Sequence, residues 1–177
     1  MKTDRIIYFA GLALVILAAA LLSGCATQSA LQVRQPFMPD KYKAVRIEPC
    51  IDRTSYTGER DIAAEATLTL TEKIRKSGLF EIRDDAPLVL TCEIEKFEEG
   101  SASKRWLWPG WGATRAWVSV MVWEQPGDNV LAAMRSRSNV ESGGLYTIGA
   151  EHYILGTAFD DIISQMREWA GGKTPGR

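Results

Sequence analysis

The first uninterrupted apolar run, Ile6 to Leu22, carries no charge. Behind it the pattern becomes periodic. Lys43 to Glu48 alternates, with Val45 and Ile47 on one side and Arg46 and Glu48 on the other. That predicts a half-buried strand, stopped by Pro49. Ile62, Ala66, Leu70 and Ile74 recur every fourth residue and predict a helix over Asp61 to Ser77, capped by Gly78. Leu79 to Arg83 reads as a short strand, and Asp84-Asp85-Ala86-Pro87 as a turn. Leu88, Leu90, Cys92 and Ile94 alternate with Val89, Thr91, Glu93 and Glu95, a strand with one wet face. Thr114 to Gln125 places Ala116, Val118, Val120 and Val122 on one face and Trp117, Met121 and Trp123 on the other. Both faces of that strand should therefore be partly covered. Pro126-Gly127-Asp128-Asn129 turns the chain into a strand over Val130 to Ser138. A glycine-bearing loop (141–150) leads to a second helix, Glu151 to Trp169. Its core side carries Leu155, Phe159, Ile162, Met166 and Trp169.

The order β-α-β-β-β-β-α predicts an α+β domain over residues 42–170. We expect a mostly antiparallel sheet of about five strands, two helices packed on one face, and a right-handed crossover between the first two strands. Residues 25–41, broken by Pro36 and Pro39, read as a tether long enough to hold the domain off a membrane. Residues 171–177 read as a flexible tail.

The N-terminus adds an address. Lys2 and Arg5 precede the apolar run, and Leu22-Ser23-Gly24-Cys25 closes it. A basic start, an apolar stretch and small residues at its end describe a secretory signal over residues 1–24. An uncleaved membrane anchor is the alternative, since about 17 apolar residues is the lower limit for a span. The small residues before Cys25 favour cleavage. Leu22-Ser23-Gly24-Cys25 resembles the lipobox of bacterial lipoproteins. The resemblance implies cleavage before Cys25, a diacylglyceryl thioether on it, and a second acyl signal that makes anchoring stable. The membrane is then a partner through lipidated Cys25. Residue 26 is Ala rather than Asp, which in bacteria that sort by this position implies the outer membrane, facing the periplasm, over inner-membrane retention.

Charge and cysteine content narrow the rest. The formal net charge is −1, so no basic field marks a nucleic-acid binder. With Cys25 lipidated, Cys50 and Cys92 remain, in a compartment that permits disulfides. They form a candidate bridge if the strands near Cys50 and around Cys92 are neighbours; otherwise they are two buried thiols.

Candidate chemistry is sparse. His152 is the one histidine, and its place near a helix start suits a polar first-turn residue better than a base or ligand. The chain carries no HExxH and no Cys/His cluster, so no metal site or cofactor is expected. Ser136 and Ser138 lack a glycine elbow. Gly110-Trp111-Gly112 lacks the further glycine and the lysine of a phosphate loop, and Gly143-Gly144 reads as backbone freedom. Asp160 and Asp161 point about 100° apart on a helix and cannot converge on one substrate. Glu93 and Glu95 share a strand face, which reads as solvated surface.

The most suggestive segment is Lys104-Arg105-Trp106-Leu107-Trp108-Pro109-Gly110-Trp111, at a hairpin tip that is ordinarily polar. Three readings stay open for Lys104, Arg105, Trp106, Trp108 and Trp111. The indoles cap the open sheet face beside Trp117 and Trp123, they grip a partner protein, or they sit in a membrane interface.

Several of these segments together resemble a family. They are Lys43-Ala-Val-Arg-Ile, the helix exit Ser77-Gly78-Leu79-Phe80, the strand LVLTCEIEKFEEGSASKRW and the long hairpin behind it. Over roughly residues 42–170 the chain resembles small bacterial lipoproteins with the domain of unknown function 4410. Glu99-Gly100-Ser101, Arg105-Trp106 and GATRAWVSVMVW carry the resemblance most closely. Two features depart from the family pattern: Trp117 and Trp123 stand where smaller aliphatic residues are usual, and Gln125-Pro126-Gly127-Asp128 replaces an Asp-x-x-Thr-Gly turn. The family carries no known activity, so the resemblance implies no catalytic residue. The plan is also similar to periplasmic adaptor domains of curli-secretion and lipopolysaccharide-assembly lipoproteins, a likeness of fold alone. The expected role is a non-enzymatic envelope lipoprotein, an accessory or adaptor subunit in an outer-membrane assembly or secretion process. It would have an unidentified envelope protein as partner. The alternative is a carrier or sensor of an envelope lipid.

Overall fold

A computed structural model describes residues 26–107, 111–127, 129–141 and 148–172. The strands are β1 (Ala26–Val33), β2 (Ala44–Ile47), β3 (Ile51–Asp52), β4 (Glu81–Ile82), β5 (Leu88–Glu98), β6 (Thr114–Glu124) and β7 (Asn129–Val140). The helices are α1 (Ile62–Ser77), the short α2 (Ala102–Leu107) and α3 (Ala150–Ala170). The strands form one seven-stranded sheet in the order β1-β7-β6-β5-β2-β4, with β3 also paired to β5.

The long helices form where the apolar period placed them. Asp61 caps α1 by accepting from the Ala64 amide at 2.9 Å, and Gly78 ends it in the left-handed region at φ 65°. Ile62, Ala66, Leu70 and Ile74 are the buried residues of α1, matching the sequence stripe. On α3, Phe159, Ile162 and Met166 are fully buried against Val118, Val120 and Met134 of the sheet. Lys73 reaches Asp160 at 2.5 Å and joins the two helices at their exposed side. Behind β1, the indole of Trp169 donates to the Gln35 carbonyl at 3.0 Å and meets Phe37 edge-on at 4.9 Å. Phe37 in turn touches Tyr42 and Phe80, so this aromatic cluster fastens the chain between β1 and β2.

Two expectations need correction. The sheet is mixed and seven-stranded, not mostly antiparallel with about five strands. β2 lies between β4 and β5 and runs parallel to both, so the two strands expected to be neighbours in a meander are separated by a third. Pro49 does interrupt β2, having no amide hydrogen to donate, but pairing resumes on the same strand. Val45–Ile47 runs beside Leu88–Leu90, and Ile51–Asp52 beside Glu93–Ile94.

The second correction concerns the stretch 25–41, expected to be a tether. Residues 26–33 form β1, in register with β7 from Ala26↔Asn139 to Val33↔Ala132. Leu31 and Val33 pack against the core while Gln28, Ala30 and Gln32 take the opposite face. Short polar residues at the other positions leave too little contrast to announce a strand, and the prolines lie past its end. The signal segment 1–24 and residues 173–177 of the expected tail lie outside the described residues.

Candidate functional site

The register of the sheet defines one end of the molecule. Ala26 pairs with Asn139, Asn139 with Arg115, and Arg115 with Glu98. Beyond this row lie the β5–β6 connection, which contains α2, and the start of α3. Cys25, itself outside the described residues, is one peptide bond from Ala26. Ala26 and the described tip residues Lys104, Leu107 and Trp111 therefore belong to the same end of the sheet.

A polar knot holds this end together. The Arg60 guanidinium donates through Nη2 to both oxygens of Glu65 at 2.6 Å, and through Nη1 to the Glu151 carbonyl at 2.8 Å. It also stands 3.6 Å from Glu99 and over the Phe97 ring. Tyr56 donates its hydroxyl to Glu99 at 2.5 Å and packs edge-on against Phe97. Burial pulls the Arg60 guanidinium down, but Glu65 and Glu99 outweigh it, and its pKa lies above the ordinary arginine value. The hydrogen bond to Glu99, with burial second, raises the Tyr56 phenol. One arginine thus ties the N-terminal turns of α1 and α3 to the end of β5. Gly100 and Gly112 close the base of the tip. Both have positive φ, and a Cβ on Gly100 would stand 2.5 Å from the Gly112 carbonyl oxygen.

Within the tip, Lys104 is exposed, and its ammonium lies 5.8 Å from the centre of the Trp111 ring. Trp111 is 52% exposed and Leu107 72%. Arg105 and Trp106 lie on α2, and Trp108 lies outside the described residues. Trp111 thus faces solvent, unlike an indole folded down to cap the sheet. Ile148, just ahead of α3, is 61% exposed.

The sheet face away from α1 and α3 is the second candidate surface. Trp117 stands between Arg137 at 4.7 Å and Lys96 at 5.0 Å, its directly paired neighbours on β7 and β5. Trp123 donates to the Thr91 hydroxyl at 2.8 Å. Glu95 pairs with Arg135 at 3.0 Å and Glu93 with Arg53 at 3.3 Å. These carboxylates border a shallow depression of about 190 Å³, with Ala30, Gln32, Ser119 and Met121 in its lining. Its acids are spent on arginines rather than aimed at a common point. The same holds for Asp160 and Asp161, which bond to Lys73 and Gln165.

Cys50 and Cys92 are joined by a disulfide with Cα atoms 4.5 Å apart. Cys50 lies in the gap between β2 and β3 left by Pro49, and its amide donates to the Thr67 hydroxyl at 2.8 Å. The bond bridges the interruption and leaves no free thiol at either position. Of the two readings the sequence left open for this pair, the bridge is the one present; Tyr56 and Arg60 were not singled out, and Glu99, read as solvated surface, is tied to both. Their partners are 43 and 91 residues apart in the chain, and no local pattern reports such contacts.

No family model matches the chain, and no curated protein matches it either. The resemblance to the domain of unknown function 4410 family therefore rests on the residues quoted for it. Among solved structures, a point variant of the PelC dodecamer from Paraburkholderia phytofirmans is similar with TM-score 0.58 at 12% identity, over 80% of this chain and 98% of that one. The PelC dodecamer in a second crystal form gives TM-score 0.54 at 12% identity, over 79% and 97%. A hypothetical protein of Chlamydia trachomatis gives TM-score 0.50 at 12% identity, over 73% and 98%. At these identities the likeness establishes a shared α+β fold.

Proposed function

We propose that this chain is an envelope lipoprotein, anchored through Cys25, whose domain binds a partner and transforms nothing. The observation that carries the reading is the continuity of motif and fold. Leu22-Ser23-Gly24-Cys25 ends where β1 begins, so a cleaved and acylated chain starts one residue ahead of its sheet. The favoured role is a subunit of an outer-membrane assembly or secretion apparatus.

Two features support a subunit. β1 is an edge strand of eight residues without a charge or a proline, the kind of edge that pairs readily with another chain. PelC, which shares the fold, is a dodecamer, and by that likeness we extend multi-subunit assembly to this chain. Anchoring restricts how copies could join. An antiparallel β1–β1 pair would put the two Cys25 residues at opposite ends of the strands, about 25 Å apart along them. Copies sharing one membrane would instead set the β1 edge against the opposite edge of the next copy, a head-to-tail contact.

Gentle detergent extraction followed by native mass measurement and identification of bound proteins tests the proposal. The expected result is a defined species larger than one chain, either several copies or one copy with a constant protein partner. A bare monomer would contradict the subunit role.

A further inference from the structure

The end of the sheet that leads to Cys25 carries an uncommon share of the exposed apolar side chains. Of the six large hydrophobic residues that stand exposed among the described residues, three are here: Leu107, Trp111 and Ile148. They come from two different connections, and Arg60 ties the first turn of α3, next to Ile148, to Glu99 at the start of the other. Lys104 is an exposed cation among them, 5.8 Å from the Trp111 ring centre. Exposed leucine, isoleucine and tryptophan gathered at one end of a domain are the kind of apolar surface that a membrane or a partner covers.

We infer that the cover is the lipid surface itself: Leu107, Trp111 and Ile148 rest in the headgroup layer of the membrane that holds Cys25. The inference rests on the lipid-anchored reading of Cys25. Consecutive Cα atoms are about 3.8 Å apart, and Ala26 is already hydrogen-bonded into the sheet. An acylated Cys25 therefore brings the last sheet row to within one residue of the lipid, with no slack to hold the tip away. Tryptophan is favoured at such an interface, aliphatic side chains gain by entering it, and Lys104 suits anionic headgroups. A protein partner at the same tip would have to fit between the domain and its own anchor. The lipid surface lies there already.

The test uses the full lipidated protein in vesicles of phosphatidylethanolamine and phosphatidylglycerol. A polarity-sensitive fluorophore is placed through Leu107→Cys, Ile148→Cys or Asn129→Cys. The native disulfide keeps Cys50 and Cys92 from reacting. Asn129 is exposed at the opposite end of β7, about 30 Å away. Bromine-labelled acyl chains should quench the probes at 107 and 148 at least twofold more than the probe at 129. Equal quenching at all three positions, with acylation of Cys25 verified by mass, would overturn the inference and leave the anchor standing. An unacylated Cys25 would overturn the anchored reading and this inference with it.

Discussion

Glu98 shows how single side chains set the stability of the sheet end that carries the β5–β6 connection. Burial alone would raise its pKa, but Arg115 at 2.5 Å and Lys96 at 3.0 Å overcome that and hold it below the usual carboxylate value. A folded-state value below the unfolded one, about 4.3, adds stability that is full above that pH and is lost as pH falls through the folded value. Arg115→Met should therefore be less stable than the parent at pH 7, with the difference shrinking below about pH 4. Urea unfolding at pH 7 and pH 3 checks this, and a difference that grows on acidification would contradict it. The Cys50–Cys92 bond closes a segment with a sequence separation of 42. On chain entropy that is worth about 4 kcal/mol, and engineered pairs often deliver less. The double variant Cys50→Ala/Cys92→Ala should lower Tm by roughly 10 °C in calorimetry; an unchanged Tm would mean the bond closes nothing the fold does not already hold.

The elements differ in how far the sequence declares them. α1 and α3 were fully legible, because four-residue spacing of Ile, Leu and Ala has no other economical use in water. The strands β5, β6 and β7 were legible for the same reason at period two. β1 was not, since Ala26–Val33 offers only Leu31 and Val33 as contrast and draws its order from the β7 backbone. β3 was hidden by Pro49, whose local rule is correct but says nothing about pairing two residues later. α2 lies where a turn was expected. Two variants test these elements. Ile74→Asp puts a charge at a site with no exposure and should abolish cooperative unfolding; unchanged thermal unfolding would displace α1. Gly100→Ala combines positive φ with a clash against the Gly112 carbonyl and should cost about 2 kcal/mol. Hydrogen exchange should localise that loss to the base of the tip.

At the scale of the molecule, the pattern singles out Cys25, Lys104 and Trp111 as candidates one by one, but not that Ala26, Lys104 and Trp111 share one end of the sheet. It follows from the pairings Ala26↔Asn139, Asn139↔Arg115 and Arg115↔Glu98, which join positions far apart in sequence. Those pairings turn an expected tether into a strand, and on the proposed anchoring at Cys25 they would bring the domain down onto the membrane. The helices shield one face of the sheet, the opposite face carries Trp117, Trp123 and ion pairs, and β1 forms one edge. The proposed anchoring depends on what happens at Cys25. The most direct measurement is intact-mass and N-terminal peptide analysis of the protein from membranes. The account predicts a chain that begins at Cys25 and carries the added mass of a diacylglyceryl group. A chain that retains residues 1–24, or one that begins at an unmodified Cys25, would contradict it.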